Sequence, residues 1–150
     1  MSLKTRIHQD LVAAMKAKDE RRVWTLRTVW SAIQVEEKKK GDEATDAVVL
    51  RVLSTLLKQR KEAAEQFQAG HRSDLVEKEL AEAAIIEEYL PPPLSEEELR
   101  AEIRAVIAET GGRKLGQIMP VIMQRVAGRA EGKVVNALVQ QELARIQQQD

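Results

Sequence analysis

Residues 87 to 99 read Glu-Glu-Tyr-Leu-Pro-Pro-Pro-Leu-Ser-Glu-Glu-Glu-Leu, and they settle how the chain is organised. Pro91, Pro92 and Pro93 supply no amide donors and favour an extended backbone, so any helix leading into them has to end. Just beyond, Ser95-Glu96-Glu97-Glu98 makes a capping box. The Ser95 hydroxyl is placed for the amide of Glu98, and the Glu98 carboxylate for the amide of Ser95. A helix stops, a stiff hinge follows and a new helix starts. The spacing predicts an N-terminal four-helix domain over 1–92 and a C-terminal three-helix domain over 93–150.

Outward from the hinge, apolar residues recur at helical spacing. Before it, a first helix from about Leu3 to Lys18 carries Leu3, Ile7, Leu11 and Ala14, with Ser2 as its cap. A second follows Asp19, with Val23, Leu26, Trp30 and Ile33 on one face and Lys38 to Lys40 at its dipole-favoured end. A third, capped by Thr45 or Asp46, carries Val49, Leu53, Leu56, Leu57, Ala64 and Phe67. A fourth starts at Ser73 or Asp74 and carries Val76, Leu80, Ala83, Ala84, Ile86 and Leu90. After the hinge come Leu99, Ile103, Val106 and Ile107, stopped by Gly111-Gly112. Leu115, Ile118, Met119, Ile122 and Val126 form the sixth stripe, with Pro120 expected to kink that helix or delay its regular start. Val135, Leu138, Val139, Leu143 and Ile146 form the seventh. With Ala, Leu, Glu, Lys, Arg and Gln dominant and only one Phe and one Tyr, the fold class is all-α: a bundle of helical hairpins followed by a small three-helix domain.

The same residues exclude several functions. The chain has no cysteine, hence no disulfide framework, thiolate metal site or cysteine nucleophile. His8 and His71 have no neighbouring ligand at metal spacing, and Ser2, Ser73 and Ser95 fall at helix starts, where capping accounts for them. Gly111 to Gly116 lacks the glycine spacing and the Gly-Lys-Ser/Thr ending of a nucleotide-binding loop. No catalytic residue, metal site or cofactor is expected. The N-terminus alternates charge with apolar residues, unlike a signal peptide, and no apolar run approaches the ~18 residues of a membrane span. The expected location is the cytoplasm.

Basic and acidic residues balance at 24 each, so any recognition of a polyanion must come from local patches. Residues 95–110 hold five glutamates against Arg100 and Arg104, a net of −3. Residues 113–133 hold Arg113, Lys114, Arg125, Arg129 and Lys133 against Glu131, a net of +4. The stretch Gly128-Arg129-Ala130-Glu131-Gly132-Lys133-Val134-Val135-Asn136 puts two glycines, two cations and an asparagine between two helical patterns. Such a corner suits phosphate oxygens; a solvated interhelical turn is the alternative. A second basic cluster, Lys16, Lys18, Arg21, Arg22 and Arg27, is diluted by Asp19 and Glu20 and reads as a solvated face. Trp24 stands one residue off its helical stripe, whereas Trp30 and Phe67 read as core.

Four segments in order, AMKAKDERRVWTLR (14–27), LKQRKEAAEQFQAGHRSDLVEKELAE (57–82), EEYLPPPLSEEEL (87–99) and GRAEGKVVN (128–136), resemble the GatB/YqeY family, specifically its stand-alone YqeY-like proteins, over essentially the whole chain. The resemblance implies an N-terminal helical domain and a C-terminal domain similar to the tail of the tRNA-dependent amidotransferase B subunit, a glutamine-dependent carbon–nitrogen ligase. That tail helps to hold tRNA; nothing here resembles the parts of that enzyme that activate the substrate or make ammonia. The function implied is a non-catalytic module that binds tRNA or works beside the amidotransferase, with tRNA, amidotransferase subunits or another translation protein as partners. A helical protein-interaction module without RNA binding is the alternative. The family motif falls on Gly128, Arg129, Gly132, Lys133 and Asn136, and the charge pattern adds Arg113, Lys114 and Arg125. Glu131 stands where the family often has aspartate.

Overall fold

The computed structural model describes residues 1–126 and 129–149. These residues form seven α-helices and no strand: α1 (Leu3–Ala17), α2 (Glu20–Lys40), α3 (Asp46–Ala69), α4 (Ser73–Glu87), α5 (Glu96–Thr110), α6 (Leu115–Arg125) and α7 (Gly132–Gln149). They divide into two compact units, Met1–Leu90 and Pro91–Asp150, each with its own core.

In the first unit, α1 and α2 form one hairpin and α3 and α4 another, with α2 packed on both helices of the second. Ile7, Leu11, Leu26, Val29, Ile33, Val49, Val52, Leu53 and Ile86 fill the core. The caps follow local chemistry: Ser2, Asp19 and Thr45 each accept the amide three residues on, at the starts of α1, α2 and α3. Ser73 does not cap α4. It is the first helical residue, Arg72 occupies the cap position, and no side chain bonds there. The α4 stripe also differs from expectation, because Leu80 is 50% exposed and Ala84 is exposed, whereas Glu82 and Tyr89 are buried. Phe67 is half-buried and lies outside the buried cluster.

The second unit is a three-helix core in which all three helices pack on one another. Each apolar residue predicted for α5 is buried, as are Ile118, Ile122 and Val126 from the α6 stripe and Val135, Leu138, Val139 and Leu143 from α7. The capping box is present, with the Glu98 amide 3.1 Å from Ser95 Oγ and the Ser95 amide 3.2 Å from Glu98 Oε1. The Ser95 hydroxyl, and after it the Ser95 amide, hold the Glu98 carboxyl below its usual pKa. Pro120 neither stops α6 nor delays it. The helix runs through it, and the proline and Gly116, whose carbonyl loses its i+4 donor, are both exposed, so water can take the vacant acceptor.

Gly111 and Gly112 do different jobs. Gly111 ends α5 in the left-handed region at φ +69°. Gly112 has no room for a side chain, since a Cβ there would lie 2.9 Å from Ile118 Cδ1 and 3.2 Å from Gln117 Cβ.

Candidate nucleic-acid interface

The eight residues singled out in the C-terminal unit are not gathered at one point. Arg113 and Lys114 precede α6, whereas Arg129, Gly132, Lys133 and Asn136 follow it. The 11 residues of α6 put about 16 Å between those two ends. Gly128 lies outside the described residues.

At the first end the loop amides are already used. Gln117 Oε1 accepts the amides of Arg113 and Lys114 at 3.0 and 3.2 Å, closing the turn from within. Arg113 gives one guanidinium bond to the Gly112 carbonyl, and both cations are exposed. What this end offers an anion is side-chain charge.

The two arginines at the other end are engaged inside the unit. Arg125 bonds Glu102 and Glu109 of α5, the latter at 2.9 Å, so the basic stretch neutralises part of the acidic one. Arg129 Nε donates to the Pro92 carbonyl at 3.1 Å, and the Arg129 carbonyl accepts the Leu94 amide at 2.8 Å. A run of prolines presents acceptors without donors, and Arg129 supplies a donor to it. Asn136 Oδ1 accepts from Gln140 one turn on. Lys133 is different: it sits exposed in the first turn of α7, that turn contains no acid, and Lys133 forms no ion pair among the described residues.

Three polar networks escaped the sequence reading. Glu142 is 3% exposed, yet it carries a charge. Arg104 Nε lies 3.0 Å from its Oε2 and Arg100 Nη1 3.1 Å from its Oε1. The Arg104 bond, with Arg100 adding to it, holds the Glu142 carboxyl below its usual range against the opposing effect of burial. In the first unit, the buried Tyr89 hydroxyl donates to Asp10, and Arg22 bonds Glu88 at 2.8 Å, tying α1 and α2 to the end of α4. Burial and the Asp10 bond push the Tyr89 phenol well above its ordinary pKa. Buried Glu82 pairs with Arg60 of α3 at 2.9 Å. The available signal was an acid in register with an apolar stripe, as Glu142 is with Leu138, Val139 and Ile146.

Among the described residues no group of three His, Cys, Asp or Glu is arranged to hold a metal, and no helix is long and apolar enough to cross a membrane. A family model described as Yqey-like protein matches residues 4–143. The chain belongs to the YqeY-like family. Among curated relatives, this YqeY-like chain is similar to "Altered inheritance of mitochondria protein 41, mitochondrial" of Lachancea thermotolerans, at 37% identity over 69% of the chain and 57% of that protein. The protein of the same name from Pyrenophora tritici-repentis is 28% identical over 83% of the chain and 71% of its own length. An uncharacterized protein of Schizosaccharomyces pombe is 36% identical over 60% of the chain and 73% of its own length. The chain thus spans little more than half of the Lachancea relative.

Proposed function

We propose that this chain is a non-catalytic module that binds tRNA, or serves a tRNA-dependent amidotransferase, through the cations of its C-terminal unit. The observation that carries the reading is Lys133. It is an exposed cation in the first turn of α7, where the helix dipole already favours an anion; that turn contains no acid, and Glu131 stands just before it. Arg113 and Lys114 add exposed charge about one α6 length away, a separation that two backbone phosphates on a folded RNA can span. Arg125 and Arg129 join only by giving up bonds within the unit, so their share is smaller. Gly128, Gly132 and Asn136 complete the set that the family resemblance implies. We place the protein in the cytoplasm, where tRNA and translation proteins are at hand; for the relatives the printed names give mitochondria.

The test is tRNA binding as a function of salt. Changing Arg113, Lys114 and Lys133 to Ala should flatten the log–log salt slope by roughly one unit per lost phosphate contact, while Lys38, Lys39 and Lys40 changed to Ala should leave it nearly unaltered. Equal effects of the two triples would reduce the interaction to diffuse attraction. The protein alone, given glutamine, ATP and misacylated tRNA, should make no amidated product.

A protein-interaction module is the second reading, favoured by one observation. Val134, beside Lys133, is 48% exposed, and Val121 of α6 is 39% exposed. No salt-dependent tRNA binding by the parent chain, together with partner capture that Val134→Asp abolishes, would select it.

A further inference from the structure

The end of α1 and the first turns of α2 carry an exposed aromatic ring and cations, several of which form no ion pair among the described residues. Trp24 is 61% exposed. The other tryptophan, Trp30, is covered by His8, with ring centroids 4.9 Å apart, and by Lys4 at 5.5 Å. Arg21 and Arg27 lie three residues to either side of Trp24, on neighbouring positions of the helix surface. Arg27 reaches across to α1, where Nη2 lies 3.5 Å from the sulfur of Met15, itself 43% exposed. Arg22 of the same cluster is taken by Glu88, but Lys18, Arg21 and Arg27 are exposed and form no ion pair among the described residues. The acids at hand are Asp19, which accepts the Arg22 amide as the cap of α2, and Glu20.

Lys18 borders the same surface. It closes α1 at φ +58°, with its amide 3.2 Å from the Met15 carbonyl and the Asp19 amide 3.1 Å from that of Ala14. This is the helix-ending position that glycine fills most easily. The chain keeps a lysine there, at a conformational cost.

We propose that Trp24, Lys18, Arg21 and Arg27 form a binding surface for an unpaired stretch of RNA, with a base stacked on the indole and the flanking phosphates on the cations. A flat ring bordered by cations matches a ligand that alternates π faces with negative charge. An acidic peptide would use the charge without the ring, and a membrane would ask for a broader apolar face than one Trp and one Met provide. The choice of RNA rests on the tRNA reading above, but the surface is on the other unit and is tested separately.

The experiment uses the full chain with Trp30→Phe, which leaves Trp24 as its one tryptophan. Oligouridylate of twelve nucleotides, titrated at low salt, should quench Trp24 fluorescence saturably. With a labelled oligonucleotide, Trp24→Ala should weaken binding about tenfold, Trp24→Phe should retain most of it, and Arg21→Ala with Arg27→Ala should lower both affinity and salt slope. The proposal is overturned if Trp24 fluorescence does not respond, if Trp24→Ala binds as well as the parent, or if inorganic polyphosphate or oligoglutamate binds as tightly as the oligonucleotide. A blue shift of Trp24 on phosphatidylserine vesicles, without quenching by RNA, overturns it in favour of a membrane surface. Loss of tRNA binding in the α6–α7 triple with Trp24 quenching intact separates this surface from the C-terminal one.

Discussion

The two basic corners of this molecule look alike in sequence and are used in opposite ways. Around α6 the arginines turn inward: Arg125 pairs with Glu102 and Glu109, and Arg129 holds the carbonyl of Pro92. Around the α1–α2 turn, Arg21, Arg27 and Lys18 stay exposed, and Arg22 alone is spent on a carboxylate, Glu88. The difference follows from the neighbours each corner meets. Helix α5 presents Glu102 and Glu109 to Arg125 of α6, whereas the acids nearest the α1–α2 turn are the cap Asp19 and its neighbour Glu20. A run of cations is a binding surface only to the extent that the fold leaves it without work.

The sharpest way to break this comparison is to remove two arginines from each unit. Arg100→Met with Arg104→Met leaves the buried Glu142 carboxylate with only the looser ion pair to Arg145 at 3.8 Å, and losing the hydrogen-bonded partners of a buried charge is among the most damaging changes a small domain meets. The midpoint of thermal unfolding should fall on the order of 10 °C. Arg21→Met with Arg27→Met should move it by a degree or two at most. Equal losses would mean that the cations at the α1–α2 turn brace the fold.

Acid offers the next largest effect. The Glu142 carboxyl has its pKa depressed by Arg104 and Arg100, so its contribution is present above the unfolded carboxylate value, about 4.3, and is lost as pH falls through the lower folded value. Urea unfolding should therefore show the C-terminal unit weakening below about pH 4, and Glu142→Gln should flatten that decline. An unchanged acid limb would mean that the arginines do not hold this carboxylate in solution.

Smaller again is the brace at the hinge. Arg129→Ala removes one hydrogen bond to Pro92 while the Leu94 amide keeps its backbone partner, a loss of about 1 kcal/mol. Arg125→Ala breaks only exposed ion pairs and should leave the melting midpoint nearly unmoved. If instead Arg129→Ala leaves stability unchanged and Arg125→Ala lowers it, the roles assigned to the two arginines are reversed.

These results bear on what could be read from residues alone. The α5 and α7 stripes and the capping box were legible, because periodicity and a four-residue cap are local. The outward turn of Leu80 and Ala84 was not legible. Each lies near the edge of the α4 stripe, and which edge is covered depends on where α3 packs. Pro120 does not delay the start of α6, because its cost depends on whether the freed carbonyl meets water or core, and Gly116 is exposed. For the site, counting charges found the two basic corners, but the inward turn of Arg125 and Arg129 arises from contacts 16 to 37 residues apart in sequence. Glu142 escaped notice because the two arginines that hydrogen-bond it come from another helix, and its own helix supplies only the looser pair to Arg145 at 3.8 Å.

The subtlest expected effect isolates what the exposed corner costs. Lys18→Gly replaces an L-residue held at φ +58° with the residue that tolerates that conformation, in a helix ending whose two backbone bonds need no side chain. Stability should rise by about 0.5–1 kcal/mol, part of the relief being offset by the greater freedom of glycine in the unfolded chain. The same change removes one cation beside Trp24, so oligouridylate affinity should fall severalfold with a salt slope reduced by up to about 0.7. Movement of stability and binding in opposite directions is the signature of a residue retained for recognition. Lys18→Ala completes the argument: it should lose the binding without gaining the stability, because alanine keeps the β-carbon that makes this backbone conformation unfavourable. If Lys18→Gly gains stability and binds RNA as before, the lysine is incidental, and the α1–α2 turn retains only Arg21, Trp24 and Arg27 as its claim to be a surface for RNA.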